Sequence, residues 1–286
     1  MQIFRRPVFQ RVLPHLPLRI ALSAPFAFAA AFASPIHAEA SKPPATPEGK
    51  HLDTAKASAD APLHGAAADT TRTLRIGDVE LTVPVHTGYL TLDQLSAKQR
   101  EVFAKVVPPN GLLLDYQQHA EDEALDIQSF GNWPAYELYT LRPTADQTMS
   151  AGDWRSFKRG LVSTMARIDM HELLQRRERQ INGTLDGYVG DAMRIEIGEP
   201  GRPQLYRDSE RDLRFMLTLP NRQNILGTAR DVEEVRVVAV MRVRGRLLFI
   251  AAAREFPAGK SRTDDVIAAL DAYAERVLAL NPADAP

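Results

Sequence analysis

The stretch that decides the fold is Val235-Arg236-Val237-Val238-Ala239-Val240-Met241-Arg242-Val243-Arg244, followed by Gly245-Arg246 and then Leu247-Leu248-Phe249-Ile250-Ala251-Ala252-Ala253. In the first arm Val235, Val237, Ala239, Met241 and Val243 share one side of an extended chain. The opposite side carries Val238 and Val240 between Arg236, Arg242 and Arg244. Period-two patterning around a glycine reads as a β-hairpin. The return arm is apolar at both parities over seven residues. Such a strand belongs at the centre of a sheet with both faces covered.

Working outward, the segment after Ser261 repeats Val266, Leu270, Tyr273, Val277 and Leu280 at spacings of four and three, the pattern of a core-packing helix. Upstream, Met193–Ile197, Gln204–Arg207 and Leu213–Leu219 are short alternating strands, with a charged turn over Asp208–Asp212. A long helix opens near Ser150 to Asp153 and turns Trp154, Phe157, Leu161, Met165 and Ile168 to one face, either as one helix or as a bent pair. Asn182-Gly183 is expected to stop it. Earlier still, Leu74–Ile76 and Val79–Val85 form a hairpin around Gly77-Asp78, and Pro84 places that strand at an edge. Ser96 and Gln99 have capping-box spacing for a short helix that Pro108-Pro109 ends. Leu112–Gln118 and Ala135–Leu141 read as strands, joined by an acidic surface loop over 121–133. The order predicts an α+β fold: a mainly antiparallel sheet in a three-layer sandwich, with the closing helix on one face and the Trp154 helix on the other.

The N-terminus reads as an export signal. Arg5, Arg6, Arg11 and Arg19 precede any acid, an apolar run covers Ile20–Phe32, and Ser34-Pro35-Ile36-His37-Ala38 supplies a cleavage site between Ala38 and Glu39. As a helix the apolar run would reach only about 20 Å, too short for a bilayer, so a cleaved signal is expected in place of a membrane anchor. Pro7-Val8-Phe9 after Arg5-Arg6 fits a twin-arginine signal poorly. The expected organisation is a signal peptide over 1–38, a disordered Ala- and Pro-rich leader over 39–72, and one domain over 73–284. The expected location is the periplasm. With no cysteine in the chain, disulfides, thiolate ligands and lipid attachment through cysteine are excluded. Beyond residue 38 the chain holds 31 Lys and Arg against 36 Asp and Glu, a formal charge of −5 that offers no footprint for nucleic acid.

A strand ending in Val83-Pro84-Val85 and followed by Gly88-Tyr89, a late Arg244-Gly245-Arg246 hairpin, and a closing helix ending in Leu280-Asn281 resemble the PsbP and Mog1-like α/β/α sandwich group. The likeness covers the element order of about 73–284. It implies the sandwich fold and an accessory or binding role, and it carries no shared catalytic motif to transfer.

Chemical motifs are incomplete. Phe256-Pro257-Ala258-Gly259-Lys260-Ser261 ends like a phosphate-binding loop, but Arg254 stands where its first glycine belongs, so Ser261 and Asp264 are read as a helix cap. His171-Glu172 has Gln175 in place of the second zinc-binding histidine. His119, Glu121, Asp122, Glu123 and Asp126 lack the alternation of a calcium loop and read as a solvated turn. His86 is read as a strand-end residue. Ser156 and Lys158 lack the S-x-x-K spacing, and Asn182-Gly183-Thr184 matches only a glycosylation acceptor. Trp133, Tyr136 and Tyr139 either line a groove or pack the core. Arg236, Arg242, Arg244 and Arg246 either meet an acidic partner or serve solubility at strand ends.

No catalytic residue, cofactor or metal ligand is assigned on this reading. The expectation is an exported protein that binds another periplasmic or envelope protein. The alternatives are an envelope-directed hydrolase with unplaced carboxylates, and a small-ligand carrier. An exposed apolar patch would favour the first, carboxylates converging in a deep cleft the second, and an enclosed pocket of a few hundred Å³ the third.

Overall fold

A computed structural model describes residues 70–107, 110–123 and 130–282. The cleavage site at Ala38 and Glu39 and the leader up to residue 69 lie outside the described residues. In chain order the elements are β1 (Thr70–Ile76), β2 (Val79–Val85), β3 (Tyr89–Leu90), α1 (Ala97–Val106), β4 (Gly111–His119), α2 (Ala120–Glu123), β5 (Ala135–Leu141), α3 (Ala151–Arg167), α4 (Met170–Val189), β6 (Met193–Ile197), β7 (Gln204–Asp208), β8 (Asp212–Ile225), β9 (Thr228–Val243), β10 (Arg246–Pro257) and α5 (Thr263–Leu280). The protein is α+β. The main sheet has eight strands in the order β3-β4-β5-β10-β9-β8-β6, with β7 also on β8, and β1-β2 form a separate two-stranded ribbon. All of these strand pairs are antiparallel.

Strand β10 lies between β5 and β9 as its two-sided apolarity requires, paired with β9 from Arg246↔Val243 to Pro257↔Val232. Val235, Val237, Ala239, Met241 and Val243 join Leu248, Ile250 and Ala252 in one apolar cluster with Val266, Leu270, Tyr273 and Val277 of α5 and with the β1-β2 ribbon. Residues of the other parity, Val238, Val240, Leu247, Phe249 and Ala251, pack with Trp154 and Leu161 of α3 and Leu174 of α4. Polar ties fix α5 in place. The buried Arg214 donates to Asp212, Asp271 and Glu275 at 2.6, 2.6 and 3.0 Å. At the end of α5, Asn281 accepts from the Thr82 amide at 2.9 Å and donates to the Thr82 carbonyl at 2.6 Å.

Local signals explain the helix starts. Ser96 with Gln99 and Ser150 with Asp153 form reciprocal capping boxes. The long helix is a pair, broken where Ile168 is extended and Asp169 caps α4. Several expectations need correction. Asn182-Gly183 does not stop the helix, which runs on to Val189 and ends at Gly190 with φ 57°. The Asn182 side chain instead bonds both backbone groups of Ile195 in β6, at 3.0 and 2.8 Å, so tertiary contact overrides its turn preference. Strand β1 begins at Thr70, inside the expected leader, because Thr70, Thr71 and Arg72 pair with Val85, Pro84 and Val83. Strand β8 runs past Pro220 to Ile225. The Pro220 carbonyl accepts from Gly198 on the outer side of the strand, so the missing N–H also faces outward and the ladder to β9 is intact. Ser261 does not cap α5, which starts at Thr263 after Arg262 with no side-chain cap.

Both long hairpins turn through two residues of positive φ, Leu226-Gly227 at 52° and 82° and Arg244-Gly245 at 47° and 72°. That is the two-residue geometry in which Asn-Gly is the preferred pair, since a left-handed conformation strains most side chains. The Leu226 side chain is 53% exposed, so contacts do little to offset the strain. Leu226→Asn is expected to stabilise the fold by about 1 kcal/mol, raising the urea midpoint at constant m. A lowered midpoint would mean that the leucine makes contacts worth more than its strain.

Candidate functional site

Strand β5 stops pairing with β10 at Ala135↔Ala253, while β10 continues to Pro257. The chain before β5 crosses this rim and is held there by Arg254, whose Nε donates to the Gly131 carbonyl at 3.2 Å, and by Tyr89, whose hydroxyl donates to the Pro134 carbonyl at 2.9 Å. Trp133 is half-buried and stacks on His119 with ring centres 4.7 Å apart. Opposite, the spacing that sends Val266, Leu270 and Tyr273 into the core leaves Ala268, Ala269 and Ala272 along the adjoining face of α5. Small side chains there leave a hollow. It is an apolar groove of about 240 Å³ between Trp133, Pro134 and the three alanines, with Arg254 and Asp265 at its polar margin.

An aromatic series runs inward from the groove. His119 meets Tyr89 edge-on at 5.4 Å, Tyr89 meets Tyr136 at 5.7 Å, and Tyr136 stacks on Tyr273 at 4.5 Å, with His86 packed among the three tyrosines. Burial holds the Tyr89 and Tyr273 phenols well above their usual range, so both stay neutral donors. Tyr273 donates to the Pro84 carbonyl and accepts from Gln117, each at 2.9 Å. The groove wall is therefore rigidly backed.

Behind Trp133 and Arg254 lies a second, much smaller cavity of about 30 Å³, also lined by Tyr116, Glu234 and Glu255. It has room for about one water. Beyond it an ionic network crosses the sheet. Arg236, 2% exposed, bonds Glu234 at 2.8 Å and both oxygens of Glu137 at 3.1 and 3.3 Å. Glu255 takes Arg230 at 3.2 Å and Gln223 at 2.9 Å. Burial outweighs Arg236 and pushes the Glu234 carboxyl up to about 7; it pushes the Arg177 guanidinium down to about 9. These carboxylates converge, but on guanidiniums in a closed space.

The structure distributes the sequence candidates widely. Of the aromatic trio only Trp133 lines the groove. Tyr136 stacks on Tyr273, while Tyr139 lies on the other side of the sheet against Phe249 at 4.7 Å. The four arginines are not a strand-end set: Arg236 is buried, Arg246 pairs with Asp78, and Arg242 and Arg244 donate to the Met149 and Glu80 carbonyls at 2.7 and 2.9 Å. His171 bonds Gln175 at 2.8 Å and Glu172 pairs with Arg176 on the surface. His119 accepts from the Glu121 amide at 3.3 Å, Asp122 is buried, and Asp126 lies outside the described residues. Lys158 is held by Asp208 and the Ser209 carbonyl. Among the described residues, no group of three or more His, Asp or Glu side chains is arranged to hold a metal. Sequence reading missed Glu137, Glu234 and Arg177. The available signal was a charge inside an apolar strand: Glu137 between tyrosines, and Arg236 two residues from Val238.

Comparison with protein-family models, with curated proteins and with solved structures finds no match.

The raised carboxyl of Glu234 gives a pH signature. Its folded pKa lies above the unfolded value of 4.5, so the stability it contributes is full below about 4.5 and is lost as pH rises through about 7. Glu234→Gln keeps an acceptor for Arg236 and cannot ionise. It is expected to flatten thermal stability across that window, removing a fall on the order of 3 kcal/mol. Parallel pH curves for the two proteins would contradict the shift.

Proposed function

We propose that this protein is an exported, periplasmic binding or accessory protein that holds another envelope protein through one apolar anchor side chain seated beside Trp133. The observation that supports the reading is the size and chemistry of the groove. At about 240 Å³ it falls below the roughly 300–1,000 Å³ of small-ligand pockets, yet it suits one buried anchor of the kind that dominates protein interfaces. Its walls are apolar and held in place by packing, which lowers the ordering cost of binding. We further propose a three-layer arrangement, with α5 and the β1-β2 ribbon covering one face of the sheet and α3 and α4 the other, in keeping with the PsbP and Mog1-like resemblance. No described helix is long and apolar enough to cross a membrane.

The groove is open to direct test. A photo-crosslinking residue placed at Ala268 in the protein's own host is expected to give one discrete adduct. Ala272→Arg, on the exposed face of the same helix, is expected to abolish it while leaving the unfolding midpoint unchanged. A probe at Arg179 on α4 serves as control. Absence of an adduct at Ala268, or the same adduct from Arg179, would overturn the reading.

A further inference from the structure

A third cavity, of about 430 Å³, lies at the other end of the sheet, where the first turn of α3, the turn before β8 and the β9-β10 turn meet. Its lining includes four arginines, Arg155, Arg211, Arg242 and Arg244, and one acidic residue, Glu210. Such a surplus is notable in a chain of net charge −1. The four come from three separate segments, so local sequence does not explain their convergence.

Arg155 and Arg244 are exposed and Arg211 and Arg242 half-buried, and their bonding differs from that of the buried Arg214 and Arg236. Arg214 and Arg236 are neutralised by carboxylates. Around the cavity three arginines meet backbone carbonyls instead: Arg242 donates to Met149 at 2.7 Å, Arg211 to Asn281 at 3.0 Å and Arg155 to Ala151 at 3.4 Å, while Arg244 donates to the Glu80 carbonyl at 2.9 Å among its contacts. A carbonyl aims a guanidinium but leaves its charge in place, and each guanidinium has five N–H donors. Arg155, Arg211 and Arg242 form no ion pair among the described residues. Trp154 closes the floor, with its indole N–H on the Glu210 carbonyl at 2.6 Å.

Two further features point the same way. Arg244 occupies the strained turn position at φ 47°, where asparagine or glycine would relieve the backbone. Strain of this kind persists at ligand clamps, where the side chain matters more than its conformational cost. The cavity also opens at the N-terminus of α3, whose dipole adds positive potential beside Ala151.

We infer that this cavity binds a small ligand bearing a multiply charged oxyanion, gripped by the forks of Arg155, Arg211, Arg242 and Arg244. Forked donors match phosphate and carboxylate oxygens in pairs, and the volume falls within the small-ligand range. The site is independent of the groove beside Trp133.

Isothermal titration of the purified protein with sodium pyrophosphate, and separately with citrate, in about 50 mM salt tests the site. The expected result is saturable one-site binding of at least one anion, with Kd below about 1 mM. Arg155→Glu, on the exposed face of α3, is expected to weaken it about tenfold or more without changing the thermal midpoint. Arg179→Glu, the same charge change on α4, is expected to shift Kd less than about twofold. Preference for pyrophosphate would identify a phosphoryl ligand, and preference for citrate a polycarboxylate. No saturable binding of either anion, or equal weakening by the two variants, would overturn the proposal.

Discussion

The Arg236 guanidinium is buried in the middle of the sheet, and the surrounding strands can be placed only where its charge is answered. Stripping water from such a group costs several kcal/mol unless carboxylates meet it with good geometry. Glu234 answers from the same strand, but Glu137 is on β5, with all of β10 between them. Arg236 pairs in register with Ala253, and Glu137 with Ala251. Those two alanines are short enough for the ion pair to pass over them. The Ala251-Ala252-Ala253 run is therefore spacing as well as apolar filling. A one-residue slip of β10 would turn its side chains to the opposite faces and leave the charges facing the wrong neighbours.

This constraint also divides the side of the sheet beneath α4. Apolar packing against α3 gives way to Glu137, Glu234, Arg236, Arg177 and Gln223, and beyond them a separate apolar cluster joins Ile181 and Leu185 of α4 to Met193, Ile195 and Ile225. Helix α4 thus crosses ground that is apolar, then ionic, then apolar. The groove beside Trp133 opens at the edge of the ionic ground. The arginine-lined cavity lies at the far end of β10, whose twelve residues span about 40 Å. Two ligands could occupy them without touching.

Much of the scaffold was legible because it depends on local chemistry. The β9-β10 hairpin, the spacing of Val266 to Val277 and the boxes at Ser96-Gln99 and Ser150-Asp153 needed only period and caps. What stayed hidden depends on distant partners. Asn182-Gly183 looks like a helix end until β6 supplies its partner, and Pro220 looks like a strand end until its carbonyl is seen to face outward. Of the groove, Trp133 was a candidate, but α5 alanines well over a hundred residues away make the hollow. Arg242 and Arg244 stood out beside Gly245, whereas Arg155 and Arg211 join them only in three dimensions.

The tie between Asn281 and Thr82 links residues 199 apart in the chain. During synthesis, a chain that has reached Pro257 has made every described strand, yet Val237, Met241, Leu248 and Ile250 still lack the helix that packs on them. Among the described elements, the covering helix leaves the ribosome last. Until then the growing chain presents a broad oily face without its lid, a state that chaperones recognise and that keeps a polypeptide threadable.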